Sequence, residues 1–327
     1  MTINWDLLSE RIHASQRFVL CSHIRPDCDA LGSELGMAGI IAQLGKQVEI
    51  INGHATPPNL SFLDPGESIR MLDSNTTIDA DCMIVLDTSA WAQLGPMGEE
   101  LRRFQGVKLC IDHHVGEDDL GTEFFKDTSA EATGHLVAKL AKHLDVKIDR
   151  SMATSLFAAI ATDTGWFRFG STTSATYRII ADLMECGAVP AEIYGHLYER
   201  DTIGRVRLRG RILSRTQDEL QGALVYTYVL KNDFEETGAV ASDTEDAINL
   251  TLAIAGTQVA VIFVEQPDGG FKLSFRSRCA VDCNALAKHF NGGGHKAAAG
   301  AFLQGTLSSV QELVLPAVRA AMLATAT

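Results

Sequence analysis

Acidic and histidine side chains gather in four short segments that lie far apart in the sequence. The segments read HIRPDCDALGS at 23–33, VLDTS at 85–89, DHH at 112–114 and TDTG at 162–165. Together they supply eight acidic or histidine side chains: His23, Asp27, Asp29, Asp87, Asp112, His113, His114 and Asp163. Carboxylates at such density stay ionised in one place only beside cations, because like charges at short range raise one another's pKa. The segments therefore indicate a metal centre, provided that the fold brings them together.

The types of ligand narrow the choice of ion. Mixed carboxylate and imidazole ligands without thiolates fit manganese, iron, cobalt or zinc better than calcium or a structural zinc. These groups are too many for one ion, and two ions about 3.5–4 Å apart, bridged by a carboxylate and a hydroxide, suit attack on phosphorus. Taken alone, a strand-end aspartate is more often a helix N-cap, and a histidine pair is more often a surface or core feature. The joint occurrence of four such segments favours the metal centre.

Hydrophobic periodicity predicts how these segments are positioned. Short apolar runs typical of buried strands occupy 17–23, 47–53, 81–89 and 106–114. Helical patterns occupy 30–45, 131–144, 150–162 and 173–186. Strands separated by helices or long crossovers imply a parallel sheet that is covered on both faces. Because the carboxyl ends of such strands converge on one crevice, we expect the first three segments to meet at one rim.

The second half of the chain predicts a smaller α/β domain. An arginine-rich segment without strand character, roughly 191–219, is interpreted as a helical connector. Beyond it lie strand-like runs at 222–230, 258–266 and 270–278, with helical patterns near 243–253, 282–290 and 307–323. A length of 327 residues fits two domains at about 150 residues each. We predict a parallel-sheet domain (1–190), a helical linker (191–220) and a smaller α/β domain (221–327), with the active site in the cleft between the domains.

Composition excludes several classes of protein. Hydrophobic residues make up 46% of the chain and charged residues 21%, which is typical of a globular protein. The net charge of −13 disfavours a protein that coats long duplexes, because such proteins present a basic surface. The seven cysteines show no CxxC spacing, which fits a reducing compartment. Since we find neither a signal-peptide pattern nor an uninterrupted apolar span, we expect a cytoplasmic protein without membrane contact.

The motifs carry a family resemblance. The four segments, in this order, resemble the motifs of the DHH phosphoesterase superfamily, and GGGHKAAAG (292–300), preceded by SFRSR (274–278), resembles the signature of the DHH-associated C-terminal domain. The likeness spans about 23–300 and is greatest for the bifunctional oligoribonuclease and pAp phosphatase branch, where pAp is 3′-phosphoadenosine 5′-phosphate. RecJ exonucleases and membrane-tethered cyclic-dinucleotide enzymes are less similar. Cys28 departs from the family, in which a glycine often stands between the two aspartates; the thiol either adds metal sensitivity or packs.

The resemblance implies a role for each residue of the motifs. One metal would be held by His23, Asp27 and Asp87, and the other by Asp29, Asp87, His113 and Asp163, with Asp87 bridging. Asp112 would orient a histidine by accepting its free N–H. His114 would contact the scissile phosphate rather than a metal. The implied catalytic residues are therefore Asp87, Asp112 and His114, and the implied cofactors are two divalent ions, in the first place Mn²⁺.

Further residues are expected to contact the substrate. They are His114, Arg168, Arg276, Ser277, Arg278, Gly293, Gly294 and His295. Glycines at 292–294 let backbone N–H groups approach an anion, and a helix after them would add its positive end; an ordinary glycine-rich turn is the alternative. Arg276 and Arg278 share one face of a predicted strand and suit phosphate, or else form a solvated face. Arg168 lies among aromatic side chains that either stack on a base or pack in the core.

The resemblance implies a manganese-dependent phosphoesterase. Its substrates would be short RNA oligonucleotides, degraded to mononucleotides, and pAp, converted to AMP, through attack of a metal-activated hydroxide on phosphorus. The first alternative is a phosphodiesterase for linear or cyclic dinucleotides. An inorganic pyrophosphatase and a catalytically inactive nucleic-acid-binding module are more distant alternatives. A homodimer is compatible with the family.

Overall fold

Two sheets organise the chain, one within Met1–Arg200 and one within Asp201–Thr327. They are seen in a computed structural model that describes residues 3–116, 118–244 and 247–325. The division between the two units falls inside the segment predicted as a linker. The predicted α/β class with a second, smaller α/β domain is confirmed, whereas the exact limits 1–190, 191–220 and 221–327 stay a prediction.

The first unit contains a six-stranded sheet in which every pair of neighbours is parallel. Its strands are β1 (Arg17–Cys21), β2 (Gln47–Asn52), β3 (Ile69–Met71), β4 (Cys82–Leu86), β5 (Val107–Asp112) and β6 (Glu123–Lys126). They lie in the order β3-β2-β1-β4-β5-β6. The four predicted strands are present, and the edge strands β3 and β6 were not predicted. Both are short and half-exposed, so neither produces the apolar run that marks a central strand.

Helices cover both faces of this sheet. They are α1 (Trp5–Ala14), α2 (Cys28–Gln43), α3 (Trp91–Leu94), α4 (Pro96–Arg103), α5 (Thr133–His143), α6 (Arg150–Asp163), α7 (Ser174–Glu185) and α8 (Pro190–Tyr198). A 3₁₀ helix spans Pro58–Leu63. Successive strand residues point to opposite faces, so Leu20 and Ile84 join the core beneath α2 and α6, while Val19 and Met83 join the core beneath α4.

A close contact between α2 and α6 brings two of the motifs together. A Cβ at Gly32 would lie 2.4 Å from the carbonyl oxygen of Ser155, so only glycine permits this separation of the two backbones. Farther along the same interface, Gly39 faces Met152. The two helices are therefore antiparallel, which places the first turn of α2 beside the last turn of α6, where Asp163 ends the helix.

The second unit contains a mixed six-stranded sheet. Its strands are β7 (Gln217–Glu219), β8 (Leu224–Val229), β9 (Val259–Glu265), β10 (Phe271–Ser277), β11 (Gly293–Gly294) and β12 (Ala298–Leu303). Only β8 and β9 pair in parallel among the strand pairs of the described residues. The helices are α9 (Ile203–Ser214), α10 (Lys231–Thr237), α11 (Ala247–Leu252), α12 (Cys283–Lys288) and α13 (Leu307–Ala324). Short 3₁₀ helices span Leu220–Gly222 and Ala241–Thr244.

Two expectations for the second half of the chain require correction or qualification. The expected helix after the glycines at 292–294 is wrong, because the hairpin β11–β12 follows and pairs with β10. The predicted helix near 243–253 is α11, and positions 245 and 246 of that prediction lie outside the described residues. The arginine-rich segment is helical in α8 and α9 but also contains β7. Arg211 on α9 and Arg215, the residue that follows α9, bind the buried carboxylate of Asp233, so these two arginines stabilise the unit.

Helix α13 is long and apolar enough to cross a membrane by length and composition. Its sequence contains polar residues at 308, 309, 311, 312 and 319. Its buried residues Val310, Val314 and Val318 pack in the core of the second unit beside β10. A core helix passes the same test, so α13 is weak evidence for a membrane span.

Candidate metal centre

The predicted ligands lie at the carboxyl edge of the first sheet, where the strand order reverses. Strands β1 and β4 are neighbours, and the chain proceeds from them toward opposite edges of the sheet. In open parallel sheets this position is where ligands bind. His23 follows β1, Asp87 follows β4, and Asp112 is the last residue of β5. The strand ends therefore deliver residues from three of the four segments to one place.

One group of potential ligands consists of His23, Asp27 and Asp87. The Nε2 atom of His23 lies 3.4 Å from Oδ2 of Asp87 and 3.8 Å from Oδ1 of Asp27. Its Nδ1 atom lies 2.9 Å from the carbonyl oxygen of Ile24, which accepts the Nδ1 proton and leaves Nε2 free to bind a metal. Asp27 also caps α2, because its Oδ1 accepts from backbone N–H groups in the first turn. The capping and ligand interpretations are therefore compatible for this residue.

A second group surrounds His113. Its Nε2 atom lies 3.7 Å from Oδ2 of Asp29, 3.6 Å from Oδ1 of Asp87 and 3.5 Å from Oδ2 of Asp163. Ligand atoms bound to one ion at about 2.1 Å are roughly 3–3.5 Å apart, so modest inward shifts suffice to coordinate a metal. Asp87 directs one carboxylate oxygen toward His113 and the other toward His23. This arrangement suits a bridging carboxylate.

Backbone geometry positions two buried carboxylates of these groups. Asp87 adopts a left-handed conformation (φ 61°), which aspartate tolerates better than most residues, and its Oδ1 accepts a hydrogen bond from Thr133 Oγ1 (2.9 Å). Asp29 accepts hydrogen bonds from the backbone N–H groups of Thr133 (2.7 Å) and Gly134 (2.8 Å). A carboxylate on α2 thus satisfies the N-terminal donors of α5, where the helix dipole favours a negative charge.

Among the described residues, the carboxylates of Asp27, Asp29, Asp87 and Asp163 form ion pairs with histidines only. Burial and the nearby Asp87 and Asp163 raise the pKa of Asp29 well above its ordinary value. Burial and the charge of Asp87 raise the pKa of Asp163 to about 6, although His113 opposes the shift. Burial by itself would lower the pKa of His23, but hydrogen bonds with Asp27 and Asp87 raise it to about 11. The donor set therefore favours a cation, and divalent ions fit both its charge and its ligand types.

Asp112 and His114 form a hydrogen-bonded pair beside these groups. Oδ1 of Asp112 lies 2.8 Å from Nδ1 of His114 and also accepts the backbone N–H of His113 (2.8 Å). Oδ2 of Asp112 accepts from Ser89 Oγ (2.6 Å) and lies 3.3 Å from Nζ of Lys126. Burial opposes ionisation of Asp112, but the hydrogen bonds from His114 and Ser89 lower its pKa to about 2. His114 is the histidine that Asp112 orients, whereas His113 uses its Nδ1 on Ala130.

A cavity of about 610 Å³ opens beside the centre. Its lining includes His23, Asp87, Ser89, Gln93 and His114. His114 contacts Oδ1 of Asp112 through its Nδ1 atom, which leaves its Nε2 atom free. The side chain of His114 is 55% exposed. A phosphate group in this cavity could therefore meet the imidazole and the candidate metal ligands together.

Two neighbouring features bear on predictions from the sequence. Cys28 packs in the core of the first unit, and burial together with the nearby Asp27 raises the pKa of its thiol to about 12, which favours the packing interpretation. Trp166 and Phe167 pack against Phe157, so they contribute to the core. The exposed Arg168 donates from Nε to the carbonyl oxygen of Gly165 (2.7 Å).

The remaining substrate-binding candidates belong to the second unit, around the end of β10 and the β11–β12 hairpin. Arg276 pairs with Ala298 across the sheet, and the N–H of Ser277 donates to the carbonyl oxygen of Ala297. The hydroxyl oxygen of Ser277 accepts a hydrogen bond from the backbone N–H of Cys279, within the turn that follows β10. Arg278 directly follows the last residue of β10, and its backbone N–H donates to the carbonyl oxygen of Gln258 (2.8 Å). That it shares a face with Arg276 stays a prediction.

The glycines of this hairpin have a structural use. A Cβ at Gly292 would lie 2.2 Å from the carbonyl oxygen of Gly300, and Gly294 has φ 146°. Gly293 and Gly294 form β11, opposite β12, and the exposed His295 stands at the turn that joins them. The glycine-rich turn is thus a hairpin whose strands approach closely, and binding of an anion by its backbone stays a prediction.

Sequence reasoning missed a buried polar pair beneath the centre. Glu34 on α2 and Asn52 at the end of β2 are fully buried, and Nδ2 of Asn52 donates to Oε2 of Glu34 (2.9 Å). Oδ1 of Asn52 accepts the N–H of Ser22, the residue before His23. Burial raises the pKa of Glu34 to about 7, although the hydrogen bonds from Asn52 and Ser22 oppose this shift. The sequence signal that could have revealed this pair is Glu34 itself, a charged residue among the small and apolar residues of α2.

Glutamine in place of Glu34 will stabilise the metal-free protein in alkaline solution. The folded-state pKa of about 7 lies above the ordinary glutamate pKa of 4.5, so wild-type stability falls as the pH rises between these values. We expect Glu34→Gln to raise the free energy of unfolding by about 1–3 kcal/mol at pH 8 and by less than about 1 kcal/mol at pH 5. Urea denaturation with chelator present measures both values. Glu49→Gln, at an exposed glutamate of β2, is the control, and equal stabilities of Glu34→Gln and wild type at pH 8 would contradict the assignment.

Comparison with known proteins decides the family. The DHH family, N-terminal domain, matches residues 17–160, and the DHHA1 domain matches residues 221–322. The Bacillus subtilis (strain 168) protein named bifunctional oligoribonuclease and PAP phosphatase NrnA is 32% identical over 287 residues, which are 86% of this chain and 88% of that protein. The Thermus thermophilus protein of the same name is 33% identical over 306 residues, with coverages of 92% and 88%. The chain belongs to the DHH family.

Solved structures agree with this family membership. An exopolyphosphatase-related protein from Bacteroides fragilis superimposes with a TM-score of 0.85 at 26% identity, covering 96% of this chain and 95% of that one. Exonuclease RecJ bound to manganese shares the fold, with a TM-score of 0.51 at 14% identity and coverages of 98% and 93%. The DHH-family fold therefore accommodates manganese in a relative, and in this chain clusters of carboxylates and imidazoles stand where a metal can be held.

Proposed function

We propose that the protein is a hydrolase of ester bonds that degrades short oligoribonucleotides to mononucleotides and dephosphorylates pAp to AMP. The observation that carries the proposal is the placement of Asp87, whose two carboxylate oxygens face two different groups of potential ligands beside an open cavity. The relatives named bifunctional oligoribonuclease and PAP phosphatase support this choice of substrates. The proposed location is the cytoplasm.

The proposed cofactors are two divalent metal ions, and Mn²⁺ is the ion proposed for both sites. His23, Asp27 and Asp87 would hold one ion; Asp29, Asp87, His113 and Asp163 would hold the other. When bound, the ions lower the pKa of water and stabilise negative charge on phosphate oxygens. Thr133, which donates to Asp87, and the first turn of α5, which holds Asp29, would keep these ligands in place for the ions.

His114 is the proposed contact to the scissile phosphate. The hydrogen bond from its Nδ1 to Asp112 raises the pKa of the imidazole, so a larger fraction carries a proton at neutral pH than for a free histidine. The ring can then donate from Nε2 to a phosphoryl oxygen as negative charge develops there. Asp112 keeps the ring in this orientation from a fully buried position.

The second unit is proposed to hold the end of the substrate. Arg276, Arg278 and His295 offer charged or donating groups near one turn, with Ser277, Gly293 and Gly294 shaping the backbone. Arg168, in the first unit, is proposed as a separate substrate contact. Binding of one chain end limits the enzyme to short substrates. The net charge of −13 agrees with this limit, because long duplexes require a broad basic surface. The cleft between the domains and a homodimer stay predictions.

A substrate panel tests the proposal. Phosphate and nucleotide release would be measured from pAp, pApA, an RNA pentamer, an RNA 24-mer and pyrophosphate, each with Mn²⁺ and with chelator. We expect Mn²⁺-dependent release of mononucleotides from the short RNAs and of AMP from pAp, with little activity on the 24-mer. Activity confined to pApA would support the dinucleotide phosphodiesterase instead, and activity confined to pyrophosphate would support a pyrophosphatase.

Arg276→Ala will weaken substrate binding more than it slows turnover. A lost charge-assisted contact to a phosphate corresponds to an increase of about 10- to 100-fold in KM for the RNA pentamer. Lys272→Ala, at an exposed position on the same strand, is the matched control. Steady-state kinetics at saturating Mn²⁺ measure both variants. A KM of wild-type size in Arg276→Ala would remove this residue from the substrate site.

A further inference from the structure

Lys126 lies behind the pair formed by Asp112 and His114. It is the last residue of β6 and pairs with Asp112 across the parallel strands β5 and β6. Its side chain is only 9% exposed. The ammonium group lies 2.7 Å from Ser89 Oγ, 2.6 Å from the carbonyl oxygen of Gly116 and 3.3 Å from Oδ2 of Asp112. One nearly buried cation therefore contacts the loop after β4, the end of β5 and the loop that follows β5.

The contacts of Asp112 show what this cation does. Oδ1 of Asp112 accepts from the ring and the backbone of His114, while Oδ2 faces Ser89 and Lys126. A carboxylate without solvent exposure would swing or lose its charge if the groups on one side were removed. Lys126 and Ser89 thus hold one carboxylate oxygen so that the other stays directed at Nδ1 of His114. Ser89 itself is positioned by Lys126, which donates to its hydroxyl.

We propose that Lys126 is a positioning residue for the phosphoesterase reaction: it anchors Asp112 and Ser89 so that Asp112 holds His114 with Nε2 free for the scissile phosphate. The inference rests on the proposed function for its kinetic readout. Lys126 does more than form a stabilising ion pair with Asp112. It also contacts Ser89 and Gly116, which line the cavity together with His114. Its effect is therefore expected on turnover rather than on metal or substrate affinity.

Three single variants test the proposal. Lys126→Met removes the charge at similar size, Lys126→Arg retains it, and Lys108→Met changes a lysine of comparable burial on β5, away from the site. For Lys126→Met we expect a kcat lower by about 10- to 100-fold, as for other residues that orient groups in metal sites. We expect KM and the Mn²⁺ affinity of the metal-stripped protein, measured by calorimetry, to change less than about threefold. Lys126→Arg should recover part of kcat, and Lys108→Met should match wild type.

A double-mutant cycle separates positioning from general stabilisation. If Lys126 acts through Asp112, the double variant Asp112→Asn/Lys126→Met will have a kcat close to that of Asp112→Asn alone. Multiplicative losses would overturn the proposal, as would an unchanged kcat in Lys126→Met. The proposal would also be overturned if the total activity of Lys126→Met fell only in proportion to the fraction of protein that still binds Mn²⁺. Each comparison uses kcat per Mn²⁺-binding site, so partial unfolding of a variant does not imitate the effect.

An NMR measurement keeps the test independent of the substrate. In protein labelled with ¹⁵N-histidine, the Nδ1 proton of His114, assigned by its absence in His114→Asn, reports the hydrogen bond to Asp112 at a single pH. We expect this resonance in wild type and its loss or broadening in Lys126→Met. Persistence of the unchanged resonance would overturn the proposal. If wild type is inactive on every substrate, the proposed function fails, and the resonance alone decides the role of Lys126.

Discussion

Asp87→Asn will reduce turnover of the RNA pentamer and of pAp by more than about 100-fold, the upper end of the effect seen for residues that only orient metal ligands. The reason is that both carboxylate oxygens of Asp87 face potential ligands, one toward His23 and one toward His113. An amide offers a single neutral oxygen and cannot bridge two cations. Steady-state kinetics with Mn²⁺, together with calorimetric Mn²⁺ titration of metal-stripped protein, measure the loss.

The asparagine variant keeps the fold, which separates chemistry from stability. Position 87 has φ 61°, a conformation that asparagine tolerates and alanine adopts at a cost of about 1–2 kcal/mol. Asp87→Ala should therefore be inactive and less stable, whereas Asp87→Asn should be inactive and, without metal, at least as stable as wild type because the repulsion with Asp29 is relieved. Asp79→Asn, an exposed aspartate before β4 paired with Arg17, serves as the control. Full activity in Asp87→Asn would exclude a two-metal reaction at this centre.

Removal of metal will abolish activity and will lower stability most at neutral and alkaline pH. The folded-state pKa of Asp163, about 6, and that of Asp29 are raised above the ordinary carboxyl value. The folded metal-free protein therefore binds more protons than the unfolded chain, and it loses stability as the pH rises from about 4 through about 6. Mn²⁺ held at the proposed sites would neutralise these carboxylates. At 100 times its Kd, an ion bound only to the folded state adds about 2.7 kcal/mol.

Thermal unfolding with chelator and with Mn²⁺, at pH 5 and pH 7.5, checks this expectation. The increase in Tm produced by Mn²⁺ should be larger at pH 7.5, since protons compete with the metal for the carboxylates at pH 5. In Asp87→Asn the increase should be much smaller at both values of pH. An equal increase in wild type and Asp87→Asn would show that Mn²⁺ stabilises the protein from another site. Activity that survives exhaustive chelation would contradict the metal-dependent reaction itself.

Much of the fold and the location of the centre were predictable, because they depend on local patterns. The central strands β1, β4 and β5 are continuous apolar runs, and each one ends at a polar segment that contains a predicted site residue. A parallel sheet aligns such ends at one edge, so the grouping of His23, Asp87 and His113 follows from the order of strands and helices. The edge strands and the hairpin after Gly292 were missed, because short, half-exposed strands and glycine pairs carry little periodicity.

The sequence alone determined the types of side chain at the centre, their positions at the ends of strands, and the local cap that Asp27 forms on α2. Only the tertiary structure decided which distant groups hold them. Asp29 is fixed by Thr133, 104 residues away, and Asp112 faces Lys126 on an edge strand. Such contacts depend on how helices and strands pack, as at Gly32 against Ser155, and a linear pattern records neighbours along the chain rather than neighbours in space. Burial then shifts the pKa of each carboxyl, and burial is a property of the folded chain.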